Sequence, residues 1–259
     1  MSADSAVLKL PQRVVITGGA TGIGLACARL FANQGSHVGL ISRSHTRLQQ
    51  AATRLRGEND SLSVATAAAD VADDAQTREA IAALADHLGG IDALVLCAGI
   101  EGEMGASIAE VTAAGFREVL EVNVLGTFNA VQSALPFLQK STAGTVTVIG
   151  SDSGFVAVPG MLAYNASKGA AVQLVRALAV ELYDDYGIRV NSVAPSIVDT
   201  PMARRGLGDA VMDHPDFPLQ QPGDVAWSVA YLSSAQARAV NGQTLLSDFG
   251  YTGRSSFPA

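Results

Sequence analysis

Tyr164 and Lys168 stand four residues apart in AYNASKGA (163–170), among small and polar side chains. In a helix this spacing puts both on one face. A phenol ionises near pH 10, too high for a base at neutral pH, but a cation within roughly 4–6 Å lowers that value. A phenol beside an ammonium group is thus a tunable proton donor and acceptor. An ordinary helix with one polar stripe would show the same spacing, so the pair gains meaning only with partners.

Candidate partners lie upstream. Ser151, in VIGSDSG, ends an apolar run that reads as a strand. Ligands sit at the carboxyl ends of such strands, and a hydroxyl there can hold a substrate oxygen against the tyrosine. Ser151 and Ser153 also read as turn residues. Asn123, in EVNVLGTF, interrupts a helical stretch. Asn is a poor helix-interior residue, so its amide either bonds local backbone or bends the helix and holds a water.

The glycine loop VVITGGATGIGLACA supplies a second kind of chemistry. Gly18, Gly22 and Gly24 lie between a strand and a helix. Such glycines let the backbone approach a pyrophosphate, and the helix N-terminus offers N–H groups and positive dipole character. A bare Gly-rich turn would look alike at this one site. The second strand ends in Ser42 and Arg43, where NAD-binding folds carry a carboxylate for the ribose hydroxyls. With no carboxylate to repel it, a 2′-phosphate can be gripped by the guanidinium, which favours NADP over NAD. Arg43 also reads as a solvated surface residue. Asp70, after the third strand, is a candidate for the adenine amino group, with Asp73 as a helix cap.

Positioning these groups requires an alternating framework. Strands are expected at 13–17, 37–41, 62–68, 92–97, 144–150, 188–194 and 243–247, several near-continuous in Val, Ile and Leu, as in sheets covered on both faces. Helical patterns at 23–35 and 77–90 end in glycine. The alternation predicts an α/β fold: one domain over 1–259, a doubly wound parallel sheet between two helical layers. The Pro- and Gly-containing stretch at about 200–223 is a candidate substrate lid.

Composition narrows the class. The chain has 259 residues, 48% hydrophobic, enough for a sizeable core. A net charge of −7 without a basic run argues against nucleic acid or an acidic membrane as partner. Cys27 and Cys97 lack ligand or redox spacing, and the four histidines form no metal pattern, so no metal is expected. With neither a signal segment nor a membrane span, the reading is a soluble, cytoplasmic protein.

The ordered set TGGATGIG (17–24), Asp70, CAG (97–99), Asn123, Ser151, Tyr164 with Lys168, and NSVAPSIVDTP (191–201) resembles the short-chain dehydrogenase/reductase family along nearly the whole chain. The resemblance implies a Rossmann-like fold and an NAD(P)-dependent oxidoreductase interconverting a secondary alcohol and a ketone. It implies a pyrophosphate loop of Gly18, Thr21, Gly22, Ile23 and Gly24. Ser42, Arg43, Asp70 and Val71 would serve the adenosine end, with Ala98 and Gly99 beside them. Pro195, Ile197 and Thr200 would meet the nicotinamide. Tyr164 is implied as general acid/base. Lys168 would lower its pKa and bind the ribose, Ser151 would polarise the carbonyl, and Asn123 would position a water.

Ser153, Phe155, Met161, Leu162, Val198, Met202 and Phe217 are expected near the substrate, though each suits a plain core as well. Glu101 and Glu103 at the pocket mouth, and Arg204 and Arg205 in the lid, read equally as solvated surface. Cys97, Ser196 and Phe249 depart from the family's usual Asn, Gly and Gly. The stretch FPLQQPGDVA lacks the family's usual arginine. A homodimer or homotetramer is implied, packed through helices at about 107–140 and 162–186. A catalytically silent nucleotide-binding scaffold, and a lyase or epimerase using the same site, are the alternatives.

Overall fold

Near-continuous runs of Val, Ile and Leu form strands that are buried on both faces, because both faces are covered by helices. The computed structural model describes residues 7–58, 63–214 and 218–254. Its strands are β1 (Arg13–Thr17), β2 (His37–Ser42), β3 (Val64–Ala68), β4 (Ala93–Leu96), β5 (Thr145–Ile149), β6 (Arg189–Pro195) and β7 (Thr244–Ser247). They form one parallel sheet in the order β3-β2-β1-β4-β5-β6-β7. All seven expected strands are present, with ends shifted by a residue or two; Leu62, expected to open the third, lies outside the described residues.

Alternate strand residues feed two cores. Val14 and Ile16 pack with α1 (Gly22–Asn33), α2 (His45–Glu58) and α9 (Pro222–Ser233). Val15, Leu94 and Val146 point the other way, against α3 (Asp74–Leu88), α5 (Gly126–Leu138) and α6 (Leu162–Tyr186). The result is a single Rossmann-like α/β domain in three layers.

From β1 the chain winds outward through β2 and β3; from β4 it winds the other way. This reversal opens a crevice at the carboxyl ends of β1 and β4. Every loop flagged for chemistry rises from that edge.

Two elements differ from expectation. The stretch 107–140 is not one helix: α4 (Ala113–Leu120), capped by Thr112, passes into a π-helical turn at Glu121–Leu125 before α5 begins. Asn123 sits buried in the middle of that turn, and π-turns of this kind concentrate at functional sites. The irregular stretch 200–223 contains two short helices, α7 (Pro201–Leu207) and α8 (Asp209–Met212). Thr200 caps α7 and Pro201 opens it, a residue pair that suits a helix start.

Candidate active site

The 25-residue α6 places Tyr164 and Lys168 at its first turns, over the end of β5. Lys168 is buried and reaches down to donate to the Ile149 carbonyl at 2.9 Å. Its Nζ lies 5.4 Å from the centre of the Tyr164 ring. Ser151 follows β5 directly. Its Oγ accepts from the Ser153 N–H at 3.1 Å and donates to the Asp152 carboxylate at 3.1 Å. Ser153 is therefore a backbone brace for Ser151.

Asn123 ties the wall together. Its Oδ1 accepts from the Ile100 N–H at 2.8 Å. Its Nδ2 donates to the Ile100 carbonyl at 3.0 Å and to the Ser167 Oγ at 2.9 Å. Ser167 in turn donates to the Tyr164 carbonyl at 2.8 Å. Both amide N–H donors are thus engaged with protein, and the side chain clamps the loop after β4 to the turn carrying Tyr164.

Charge states follow from burial. Burial pushes the Tyr164 phenol up to about 12; the Ser151 hydroxyl pulls the other way, and the carboxylates of Asp152 and Glu101 add to the rise. Burial pushes the Lys168 ammonium down to about 8. Desolvation disfavours charge on both groups, and at the phenol it exceeds the lowering by Ser151. The sequence hid this because burial and the fold-borne approach of Glu101 have no signature in local spacing.

The glycine loop has the shape that a dinucleotide needs. A side chain at Gly18 would lie 2.8 Å from the Ala98 nitrogen, and Gly18 itself has φ +65°. Gly22 has φ +52°, and a Cβ there would meet Thr200 Cγ2 at 3.2 Å. The N-cap Thr21 makes no side-chain cap bond, and the first turn of α1 holds no acid. Backbone donors and positive dipole character thus face the crevice unopposed by a carboxylate, which fits a pyrophosphate.

At the adenosine end, Ser42 closes β2 and Arg43 stands exposed beside Asp70, 3.9 Å apart. Asp70 Oδ1 accepts from the Ala72 N–H, while Asp73 caps α3. Val71 is buried, its carbonyl bound by Asn129 at 3.0 Å. Ala98 donates to Thr17 Oγ1 at 3.3 Å, and Gly99 lies against the Asn123 amide. Pro195, Ile197 and Thr200 follow along the far lip, from the end of β6 to the start of α7.

The substrate side is only partly as expected. Met161 and Met202 are half-buried at the entrances of α6 and α7, while Phe155 and Leu162 are exposed. Val198 is core, not pocket wall: it is buried among helix and strand side chains and bridges Gln220. Phe217 lies outside the described residues. Arg204 and Arg205 are paired. Arg204 grips Asp199 through two bonds of 2.7 and 2.9 Å and also holds Asp209 and Asp213. Arg205 contacts Glu101 at 3.2 Å. Glu103 bonds Thr112 at the start of α4.

Three contributors escaped the sequence reading: Asp152 as acceptor for Ser151, Ser167 as bridge, and Glu101 as a charge felt by Tyr164. Asp152 adjoins Ser151 in sequence, so adjacency was an available signal; the other two are brought in by the fold.

Comparison with known proteins accords with this geometry. A family model described as short chain dehydrogenase matches residues 12–208. The chain is 36% identical over 245 residues to 2-(R)-hydroxypropyl-CoM dehydrogenase of Xanthobacter autotrophicus, covering 92% of this chain and 97% of that one. It superposes on levodione reductase with a TM-score of 0.87 at 29% identity, over 95% of this chain and all of that one. It superposes on an actinorhodin polyketide ketoreductase solved with NADPH with a TM-score of 0.86 at 29% identity, over 94% of this chain and 98% of that one.

The chain belongs to the short-chain dehydrogenase/reductase family. It is an oxidoreductase acting on CH–OH groups, with the NAD(P) cofactor typical of that family.

Proposed function

We propose that this protein interconverts a secondary alcohol and a ketone with NADP(H), using Tyr164 as the proton donor and acceptor. The observation that carries the reading is the convergence of Ser151, Tyr164 and Lys168 at the carboxyl edge of β5, beside a glycine loop shaped for a pyrophosphate. When bound, the dinucleotide supplies or takes up the hydride.

The protein's own part is orientation and proton transfer. Ser151 holds the substrate oxygen, exchanging its bond to Asp152 for one to that oxygen. The Tyr164 hydroxyl gives its proton to the oxygen in reduction and accepts it back in oxidation. Lys168, fixed by the Ile149 carbonyl, stands where it can hold the nicotinamide ribose and feed the phenol. Asn123 acts one step removed, by setting the loop and the α6 turn. Gly18, Gly22 and Gly24 cradle the phosphates, and Arg43 takes the 2′-phosphate, its competitor Asp70 being at the edge of ion-pair range.

Met161, Met202 and the α7 stretch form a largely apolar rim, which suits a small-molecule alcohol or ketone; α7 serves as a substrate lid. The free thiols of Cys27 and Cys97 suit a cytoplasmic setting. Exposed apolar side chains on α6 and along β7 support assembly as a homodimer or homotetramer.

Tyr164→Phe tests the reading. Turnover of secondary alcohols should fall by about 10²–10⁴-fold while NADPH binding persists. Undiminished turnover in this variant overturns the assignment of Tyr164. Transient oxidation without net cofactor consumption would point to the epimerase or lyase alternative.

A further inference from the structure

Ser151 has a single O–H to give, and Asp152 takes it: the Oγ donates to Asp152 Oδ1 at 3.1 Å. The same Oγ already accepts from the Ser153 N–H. Turning the Ser151 proton to a substrate oxygen therefore strips the carboxylate of a donor. Among the described residues, Ser151 is the side chain that donates to Asp152, and no cation pairs with it. A half-buried carboxylate that loses its donor raises the free energy of the complex unless another donor arrives. The substrate itself is the group brought to that place.

The carboxylate is held on a rigid support. Asp152 opens the short turn Asp152–Gly154, and its carbonyl accepts from the Phe155 and Val156 N–H groups at 2.8 and 3.0 Å. A Cβ at Gly154 would lie 2.8 Å from the Lys168 carbonyl, so the turn is pressed against the helix that carries the phenol. Tyr164 feels both neighbours: the Ser151 hydroxyl pulls its pKa down and the Asp152 carboxylate pushes it up. On the α7 side the two cations are committed, Arg204 to Asp199, Asp209 and Asp213, and Arg205 to Glu101. The group flanking the reacting carbonyl thus meets an acceptor with negative charge, and neither α7 cation is free to balance an anion.

We propose that Asp152 is a substrate-binding residue that selects ketones bearing a hydroxyl on the carbon next to the carbonyl and, in the oxidative direction, vicinal diols. The carbonyl oxygen takes the Ser151 proton. The neighbouring hydroxyl lies within one hydrogen-bond length of that oxygen and donates to the carboxylate in place of Ser151. Reduction then yields a vicinal diol, and the hydroxyl held by Asp152 keeps its proton. A carboxylate at the same position brings no donor and meets Asp152 as a like charge, so α-keto acids are rejected. This rests on the proposed function, in which Ser151 holds the substrate oxygen.

The test uses ketones that differ in one group: acetone, hydroxyacetone, fluoroacetone and pyruvate. Fluorine is close to a hydroxyl in size and withdraws electrons more strongly, but has no proton to donate. A preference for the hydroxyl therefore reads the donor and not the reactivity of the carbonyl. For the full chain, kcat/KM is measured with whichever of NADPH and NADH binds tighter, in wild type, Asp152→Ala and Asp152→Asn. Wild type should favour hydroxyacetone over fluoroacetone by about 10–100-fold, the range of a hydrogen bond to a charged group, and should use pyruvate least. Asp152→Ala should bring the hydroxyl-to-fluoro ratio toward one and raise pyruvate relative to acetone. Asp152→Asn keeps an acceptor without the charge, so it should retain part of the ratio while raising pyruvate.

A hydroxyl-to-fluoro ratio near one in wild type, or a ratio unmoved in Asp152→Ala, overturns the proposal. Were Asp152 only a brace for Ser151, all the ketones would slow together and the ratio would hold. The wild-type ratio decides the matter even where a variant fails to fold. Reduction of 2-octanone without reduction of 1-hydroxy-2-octanone would overturn it equally. Failure of the proposed function would appear separately, as undiminished turnover in Tyr164→Phe.

Discussion

Tyr164 and Lys168 are both held toward their neutral forms, and this has a measurable consequence for stability. Burial lowers Lys168 from its ordinary 10.5 to about 8. Below pH 8 the folded and unfolded chains both carry this charge, and the folded one bears its desolvation. Between about 8 and 10.5 the unfolded chain binds the extra proton, so stability rises with pH across that window. Lys168→Met removes the cost. It should be more stable than wild type at pH 6–7 by on the order of 2–3 kcal/mol, less whatever the bond to Ile149 contributes. The gain should shrink as pH climbs past 8, as followed by urea unfolding at a series of pH values. A variant less stable at pH 6 than at pH 10, relative to wild type, would contradict the burial of a charged Lys168. Tyr164, Lys168 and Ser151 were legible because residue type and spacing define them. Their charge states were not, because desolvation depends on what the whole fold places around them.

The sheet was legible at the scale of elements, since strands covered on both faces must be apolar throughout. The π-turn was less so. Asn123 marked the place, but a one-residue expansion does not alter the apolar pattern enough to show. The stretch 200–223 hid α7 and α8 because both are short and held by Arg204 rather than by a buried stripe. Departures from the family pattern sort by backbone. Ser196 continues the edge of β6, its N–H donating to the Ser247 carbonyl at 3.0 Å. It has no left-handed φ, so a side chain is accommodated. Phe249 is the non-glycine residue with positive φ, +54°, among the described residues, and it is 59% exposed. A bulky residue there is strained. Phe249→Gly should raise stability by about 1 kcal/mol, seen as a higher melting temperature; a lower one would mean that the ring makes contacts in an assembly.

At the scale of the whole molecule, the fold leaves apolar side chains on two faces. Val180 and Tyr183 stand out from α6, with Leu125 and Phe128 nearby in sequence to the π-turn. Leu245 and Leu246 line β7, an edge strand with one side unpaired. Exposed edges and apolar patches of this kind are covered in stable proteins. Sedimentation at micromolar concentration should show a dimer or tetramer, and Val180→Glu should shift it toward smaller species. A single monomeric species in wild type would remove the assembly reading. Among the described residues, no helix is long and apolar enough to cross a membrane. The sequence bears on assembly only through family resemblance, because exposure of an apolar residue is a property of the finished surface.

The central claim is that the crevice at the ends of β1 and β4 binds NADP(H), with Arg43 at the 2′-phosphate. A fluorescence titration of the purified protein with NADPH and, in parallel, NADH tests it most directly. One charge-assisted contact should make NADPH bind about 10-fold tighter or more, and Arg43→Ala should close that gap while leaving NADH unchanged. Tighter binding of NADH, or binding of neither, would contradict the account.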